Sequence, residues 1–267
     1  MASKTDPEQD ELAGTEQPFV THLVELRDRL IRALVAVVAV FGALCLWPGP
    51  GALYDLLSAP LVATLPAGAT MIATNVISPF VVPLKITLMA AFMIALPVVL
   101  YQVWAFVAPG LYSHEKKLVL PLVLSSTVLF ILGVAFCYFF VFGQVFKFIQ
   151  SFAPKSITAA PDIEAYLSFV LTMFIAFGAA FEVPIAVVVL ARMGVVSIEK
   201  LRAFRGYFIV FAFIIAAVIT PPDVVSQLAL AIPMCLLYEL GIWAAQVFIR
   251  HTQAPGEETP GEETTGP

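Results

Sequence analysis

The fold is organised around residues 100–121, LYQVWAFVAPGLYSHEKKLVLP, a polar and aromatic stretch between two long apolar runs. The Pro109-Gly110 pair predicts a turn. The stretch also carries two tyrosines, a tryptophan and a phenylalanine, and aromatic side chains of this kind settle at a membrane–water boundary. The simpler interpretation is therefore a connector at the membrane surface. The sharper one is a docking surface in which Glu115 is the only anion.

The composition of the 267 residues indicates a membrane protein. Sixty per cent of them are hydrophobic and 12% are charged, about half the charged share of a soluble domain. Apolar runs long enough to cross a bilayer recur along the chain, so we predict an all-α polytopic membrane protein. The net charge of −5 comes largely from the two ends of the chain, and no basic patch or motif indicates a nucleic-acid partner.

The motifs of metal sites, cofactor sites and hydrolytic enzymes are missing from the sequence. The three cysteines lie inside apolar runs without CxxC spacing, which predicts neither a disulfide framework nor a metal site. His22 and Glu25 match half of a zinc motif, but HEXXH is absent. Because no Walker or GxGxxG loop and no Ser–His pair at membrane depth is found, we predict no cofactor and no enzymatic activity.

Six membrane spans are predicted, and the last two are short. Residues 206–219 would reach roughly 21 Å as a helix, against a hydrocarbon core of about 30 Å. The last apolar run is about as short and ends at Glu239. The predicted spans are residues 30–47, 84–107, 118–146, 166–191, 206–219 and 224–238.

One membrane domain, residues 18–249, is predicted between two disordered tails. Residues 1–17 are acidic and polar, and residues 250–267 contain PGEET twice. An amphipathic helix over residues 18–32 is expected to lie at the membrane interface and run into span one. A short helix within residues 53–65 is too short to span.

The Lys and Arg distribution predicts that both termini are cytoplasmic. With the N-terminus inside, 11 of the 14 Lys and Arg residues fall on inside segments. Only Lys85, Lys147 and Lys155 fall outside. An excess of Lys and Arg on one side is typical of cytoplasmic loops. This orientation places Glu25 and Glu115 on the same, cytoplasmic, side.

Glu182 is predicted to lie deep in the membrane, just before Pro184. It stands ten residues from the inner end of span four, or roughly 15 Å deep. An intramembrane acid is by default a functional hypothesis, so a proton-coupled small-solute transporter with Glu182 as relay is the alternative function. Against it, the sequence has no internal repeat and one deep ionisable residue. A purely structural scaffold is a third interpretation.

Five motifs, in this order, resemble the TatC family, the multi-spanning receptor subunit of the twin-arginine protein translocase. The resemblance covers about residues 18–249. The motifs are HLVELRDRL (22–30), MIATNVISPFVVPLK (71–85), QVWAFVAPGLYSHEKK (102–117), AFGAAFEVP (176–184) and ITPPDVVSQ (219–227).

The resemblance implies a curved, cupped bundle of six helices in a bacterial-type cytoplasmic membrane. It implies a receptor within an oligomeric complex that works with TatA- and TatB-type single-span proteins. That complex exports folded cargo bearing twin-arginine signal peptides and is driven by the proton motive force. The residues implied are Glu25, Phe106 and Glu115 for the signal peptide, Glu182 as the intramembrane polar residue, and Thr220, Asp223 and Gln227 for partner helices.

The chemistry of these residues agrees with the resemblance. Adjacent arginines present planar forks of N–H donors, for which carboxylates are the natural bidentate acceptors. The competing interpretation is that Glu25 and Glu115 only balance the arginines and lysines beside them, in exposed pairs worth about 0–1 kcal/mol. Likewise, Thr220 and Gln227 could serve only as helix caps at the interface.

Overall fold

A computed structural model describes the backbone of residues 7–62, 72–107, 116–145, 148, 162–220 and 223–252. Within these residues the secondary structure is helical except for one isolated parallel bridge between Ile72 and Asp162. The helices are α1 (Pro7–Leu46), α2 (Pro50–Val62), α3 (Ser78–Val107), α4 (Lys116–Phe136), α5 (Ile163–Phe181), α6 (Val183–Arg192), α7 (Ile198–Ala203), α8 (Arg205–Ile219) and α9 (Val224–Thr252).

Five helical segments in the described part of the chain are long and apolar enough to cross a membrane. They have 24 to 30 residues each: Val20–Leu46, Ser78–Val107, Val119–Val145, Ile163–Arg192 and Val224–Val247. The shorter apolar helix α8 has 15 residues, which is about 22 Å. The predicted all-α polytopic class is confirmed, and so is the short fifth span.

The last helix is longer than the sequence predicted. Instead of ending at Glu239, α9 continues to Thr252. The Arg205 guanidinium at the start of α8 forms a two-pronged ion pair with Glu239, with N–O distances of 2.6 and 2.7 Å. The charge therefore interrupts the apolar run without ending the helix.

The first helix begins earlier than expected. α1 starts at Pro7, inside the segment 1–17 for which disorder was predicted, and includes the expected interfacial helix and span one. Glu, Gln, Leu and Ala are strong helix formers, and adding residues to an existing helix is far easier than starting one. Residues 253–267 lie outside the described chain.

Span four is divided at Glu182. α5 ends at Phe181 and α6 begins at Val183, and the Glu182 amide donates to the Ala179 carbonyl at 3.1 Å. Pro184 lacks the N–H that would continue the helical ladder across this point, which accounts for the break. Span three has a related irregularity, because α4 passes into a π-helical turn over Cys137–Val141.

Glycines allow the helices to approach closely at two points. A Cβ on Gly133 of α4 would lie 2.5 Å from the Phe177 carbonyl oxygen of α5. A Cβ on Gly241 of α9 would lie 2.9 Å from the Pro184 Cα, beside the α5–α6 break. Close contact at small residues is a main source of helix association in membranes. These contacts fix α5 and α6 between α4 and α9.

Candidate functional site

Glu25 and Phe106, on different helices, come together around His22. The imidazole of His22 lies flat against the Phe106 ring, with centroids 4.4 Å apart and planes inclined by 17°. Its Nδ1 is 3.9 Å from Glu25 Oε2. The start of span one and the end of span two therefore form one surface, which we call the α1–α3 site (His22, Glu25, Arg29 and Phe106).

The carboxylate of Glu25 is only partly engaged. Arg29 donates from both Nε (2.9 Å) and a terminal nitrogen (2.7 Å) to Oε1. Oε2 accepts no hydrogen bond from any residue the structure describes, because His22 lies beyond hydrogen-bonding distance. The Glu25 side chain is 37% exposed. One oxygen of an accessible carboxylate thus keeps its acceptor capacity.

The other predicted acid of this surface, Glu115, lies outside the described residues, as does the loop 108–115. Phe106 is half-buried at the end of α3. Around Glu25, α1 exposes large apolar side chains, among them Leu23 and Leu26. These side chains provide apolar surface beside the carboxylate.

The intramembrane acid lies in a small polar cluster. Both carboxylate oxygens of Glu182 are buried without a hydrogen-bond partner among the described residues. The Ser126 hydroxyl of α4 is close enough to interact with this carboxylate, although not in hydrogen-bonding geometry. The Ser126 oxygen also accepts a 2.7 Å hydrogen bond from the Trp104 indole of α3. Span four thus meets spans two and three around polar groups in an apolar interior.

The polar residues of the α8–α9 turn are mostly engaged within the chain. The Thr220 hydroxyl donates to the Ala216 carbonyl of its own helix at 2.8 Å. Asp223 Oδ1 caps α9 by accepting from the Ser226 amide at 2.7 Å, whereas Oδ2 is buried and unpaired among the described residues. Gln227 reaches across to the Phe213 carbonyl with a long 3.3 Å bond. This geometry favours the capping interpretation for Thr220.

A polar network that was not predicted from the sequence joins the segment before α3 to the start of α5. We call it the outer network (Thr74, Ser78, Lys85, Asp162, Glu164 and Ser168), after the side of the membrane that the Lys and Arg distribution predicts for Lys85. Asp162 caps α5 by accepting from the Glu164 and Ala165 amides through Oδ1. Its Oδ2 accepts from the Thr74 hydroxyl (2.6 Å) and amide (3.0 Å). These hydrogen bonds lower the pKa of Asp162 to about 2. The Thr74 hydroxyl makes the largest contribution, and the backbone amides add smaller ones.

Glu164 completes the outer network. Its two oxygens accept from Lys85 Nζ (2.9 Å) and from the Ser78 hydroxyl (2.7 Å), and Lys85 also reaches the Ser168 hydroxyl at 3.2 Å. In the sequence, Lys85 contributes only to the Lys and Arg count that predicts the orientation. Its position at the edge of span two, opposite an acid at the edge of span four, was the signal that could have suggested this pair.

These features define a class: an all-α integral membrane protein with a partly open carboxylate–aromatic site at one end and a saturated polar network elsewhere. Within the described residues, no three His, Cys, Asp or Glu side chains group as metal ligands. The chain belongs to the TatC family, because residues 21–233 match the family model "Sec-independent protein translocase protein (TatC)".

Individual relatives agree with the family match. The chain is 52% identical over 246 residues to TatC of Halothiobacillus neapolitanus, covering 92% of this chain and 67% of that protein. It is 50% identical over 233 residues to TatC of Escherichia coli K12, covering 87% and 90%. A solved structure described as "Crystal Structure of Twin Arginine Translocase Receptor- TatC" superposes with a TM-score of 0.73 at 41% identity, covering 86% of this chain and 100% of that one. The chain is thus a subunit of a protein translocase and not an enzyme.

Proposed function

We propose that this protein is the signal-peptide receptor of a twin-arginine translocase and that Glu25, Phe106 and Glu115 bind the peptide on the cytoplasmic side. The observation that carries the proposal is the α1–α3 site. There, a carboxylate with one oxygen that accepts no hydrogen bond from the described residues lies beside an aromatic wall and exposed apolar side chains. A guanidinium of the peptide would pair with the carboxylate. The apolar part of a signal peptide would pack against the aromatic wall and the exposed apolar side chains.

The receptor is proposed to act in a bacterial-type cytoplasmic membrane with both termini inside, as the Lys and Arg distribution predicts. We propose that it forms an oligomeric complex with TatA- and TatB-type helices, which contact Thr220, Asp223 and Gln227. Driven by the proton motive force, this complex would export folded cargo. Of these three contact residues, Gln227 has the weakest internal bond and is the best placed to exchange it for a partner.

Peptide binding tests the receptor role. Glu115→Ala should lower affinity for a twin-arginine peptide about ten- to hundredfold, as expected for loss of a charged hydrogen bond of about 1.5–3 kcal/mol. Glu115→Lys should lower affinity further through repulsion, and Phe106→Ala should weaken binding by removing apolar cover. A lysine-for-arginine peptide should lose much less affinity against Glu115→Ala than against the wild type. Equal losses in both backgrounds would show that Glu115 does not touch the arginines.

Thiol labelling tests the orientation. In a variant without the three native cysteines, single cysteines at Ser58 and Ser113 should react with an impermeant reagent from opposite sides of the membrane. Reaction from one side would refute six spans with both ends inside.

Glu182 provides a test of the transport role. An ionised carboxylate at the centre of a span costs roughly 2.5–3.5 kcal/mol on insertion scales. Glu182 is buried and accepts no hydrogen bond from the described residues, so its presence is not explained by stability. We expect Glu182→Gln to fold normally and Glu182→Leu to impair export or complex assembly. If the leucine variant exports folded cargo and assembles like the wild type, Glu182 is only a tolerated polar position.

A further inference from the structure

We propose that His22 is a positioning residue of the α1–α3 site. It holds Phe106 in place, and it borders the oxygen of Glu25 that a peptide arginine would occupy. This inference rests on the proposed function and assigns a role within the same site. In the sequence alone, His22 stands out only as part of an incomplete zinc motif.

The contact with Phe106 supports the first half of this role. The two rings are 84 positions apart in sequence, yet they stack at 4.4 Å with nearly parallel planes. Phe106 is the last residue but one of α3, which ends at Val107. Packing against another ring restricts the rotamer of an aromatic side chain. The His22 ring on α1 supplies such a neighbour, so Phe106 is presented as a fixed wall.

The geometry around Glu25 supports the second half. Arg29 occupies Oε1 with both prongs of its guanidinium, which leaves Oε2 as the available acceptor. His22 Nδ1 is 3.9 Å from Oε2, three residues earlier on the same helix. An arginine that binds Oε2 would therefore lie beside the imidazole, one face of which contacts Phe106. Guanidinium groups stack well on aromatic rings, so the histidine would contribute to recognition as well as to position.

The surroundings of His22 argue against a role in the packing of the core. The side chain is 53% exposed, and none of the described residues forms a hydrogen bond with its ring. A residue this exposed contributes little to the interior of the bundle. The two contacts described above are both with residues proposed to bind the peptide.

Four single variants test the proposal in full-length protein with a synthetic twin-arginine peptide. His22→Ala should lower affinity about two- to tenfold, the value of one aromatic pair. His22→Phe keeps the stack and should recover most of the affinity, whereas His22→Asn keeps a polar atom but no ring and should not. Val38→Ala, a truncation at an exposed site further along α1, should bind the peptide like the wild type.

A double variant separates positioning from an independent contact. In a Phe106→Ala background, His22→Ala should cause little further loss, because the two rings act as a unit. Wild-type affinity in His22→Ala, full multiplication of the two losses, or rescue by asparagine but not by phenylalanine would each overturn the proposal. If Glu115→Ala and Phe106→Ala themselves bind normally, the proposed function fails instead.

A second measurement tests the stack without the peptide. With 4-fluorophenylalanine at position 106, the ¹⁹F resonance should shift toward its solvent-exposed position in His22→Ala and stay near the wild-type position in His22→Phe. An unchanged resonance in His22→Ala would show that His22 does not position Phe106, whatever the peptide does.

Discussion

The α1–α3 site and the outer network use carboxylates in opposite ways. In the outer network, each oxygen of Asp162 and Glu164 accepts at least one hydrogen bond, and the donors come from two separate parts of the chain. In the α1–α3 site, Glu25 has one oxygen on a neighbouring arginine and one without a hydrogen bond from the described residues.

We expect this difference to separate acids that hold the fold together from acids that bind a ligand. A carboxylate whose acceptor sites are filled holds segments together and offers nothing to a ligand. A carboxylate with a free oxygen contributes little to stability but can accept a charged donor strongly. The same rule applies to the α8–α9 turn, where Thr220 is engaged by its own helix and Gln227 is held only weakly.

Removing one acid from each of the two regions should give the largest effect. Glu25→Ala should lower twin-arginine peptide affinity about ten- to hundredfold and change stability by only about 0–1 kcal/mol. Glu164→Ala should do the reverse, because Lys85 and Ser78 lose their shared partner: a lower melting temperature with nearly unchanged affinity. Peptide titration and thermal unfolding in one detergent measure both. If each variant loses both properties equally, the distinction between the two regions is wrong.

The buried hydrogen bond between Trp104 and Ser126 should give the next largest effect. Ser126→Ala leaves the buried Trp104 N–H without its acceptor and should destabilise the protein by about 1–3 kcal/mol. Trp104→Phe added to Ser126→Ala should recover part of the loss, because no donor is then left unpaired. Thermal unfolding of the two single variants and the double variant measures this coupling, and simple additivity would contradict the hydrogen bond.

Acid should open the outer network selectively. Because the folded pKa of Asp162 is lowered from 3.8 to about 2, its ionised form stabilises the fold above about pH 4, and this contribution is lost as the pH falls toward 2. We expect faster amide exchange at Thr74 over this window, which Asp162→Asn should abolish. Exchange that speeds up equally in Asp162→Asn would assign the effect to another group.

The α8–α9 turn should show the smallest effect. Thr220→Val removes one hydroxyl from a carbonyl that also accepts the Thr220 amide, so we expect about 0.5–1 kcal/mol of destabilisation. A photocrosslinker at position 227 should capture a TatA- or TatB-type helix more efficiently than one at position 220. Crosslinks from 220 but not 227 would reverse the order proposed for these residues.

The sequence predicted the positions of most of the helices but not how their polar side chains pair. Glu239 shows the difference: as a charge it ended the predicted last span, but its partner Arg205 lies 34 positions earlier and keeps it compatible with a continuous helix. Lys85 and Glu164 are 79 positions apart, and their contact needs spans two and four to pack side by side. His22 belongs to no complete motif in the sequence, because its partner Phe106 is on another helix.

The sequence by itself determined the membrane class, the helical spans and the motifs that resemble TatC. A hydrocarbon core requires each crossing segment to be apolar and to satisfy its own backbone hydrogen bonds, and both properties can be read locally. Only the tertiary structure decided which acids are saturated and which remain open. Thr74 and Asp162 are 88 positions apart, so their contact depends on the packing of whole helices and not on any pattern within one.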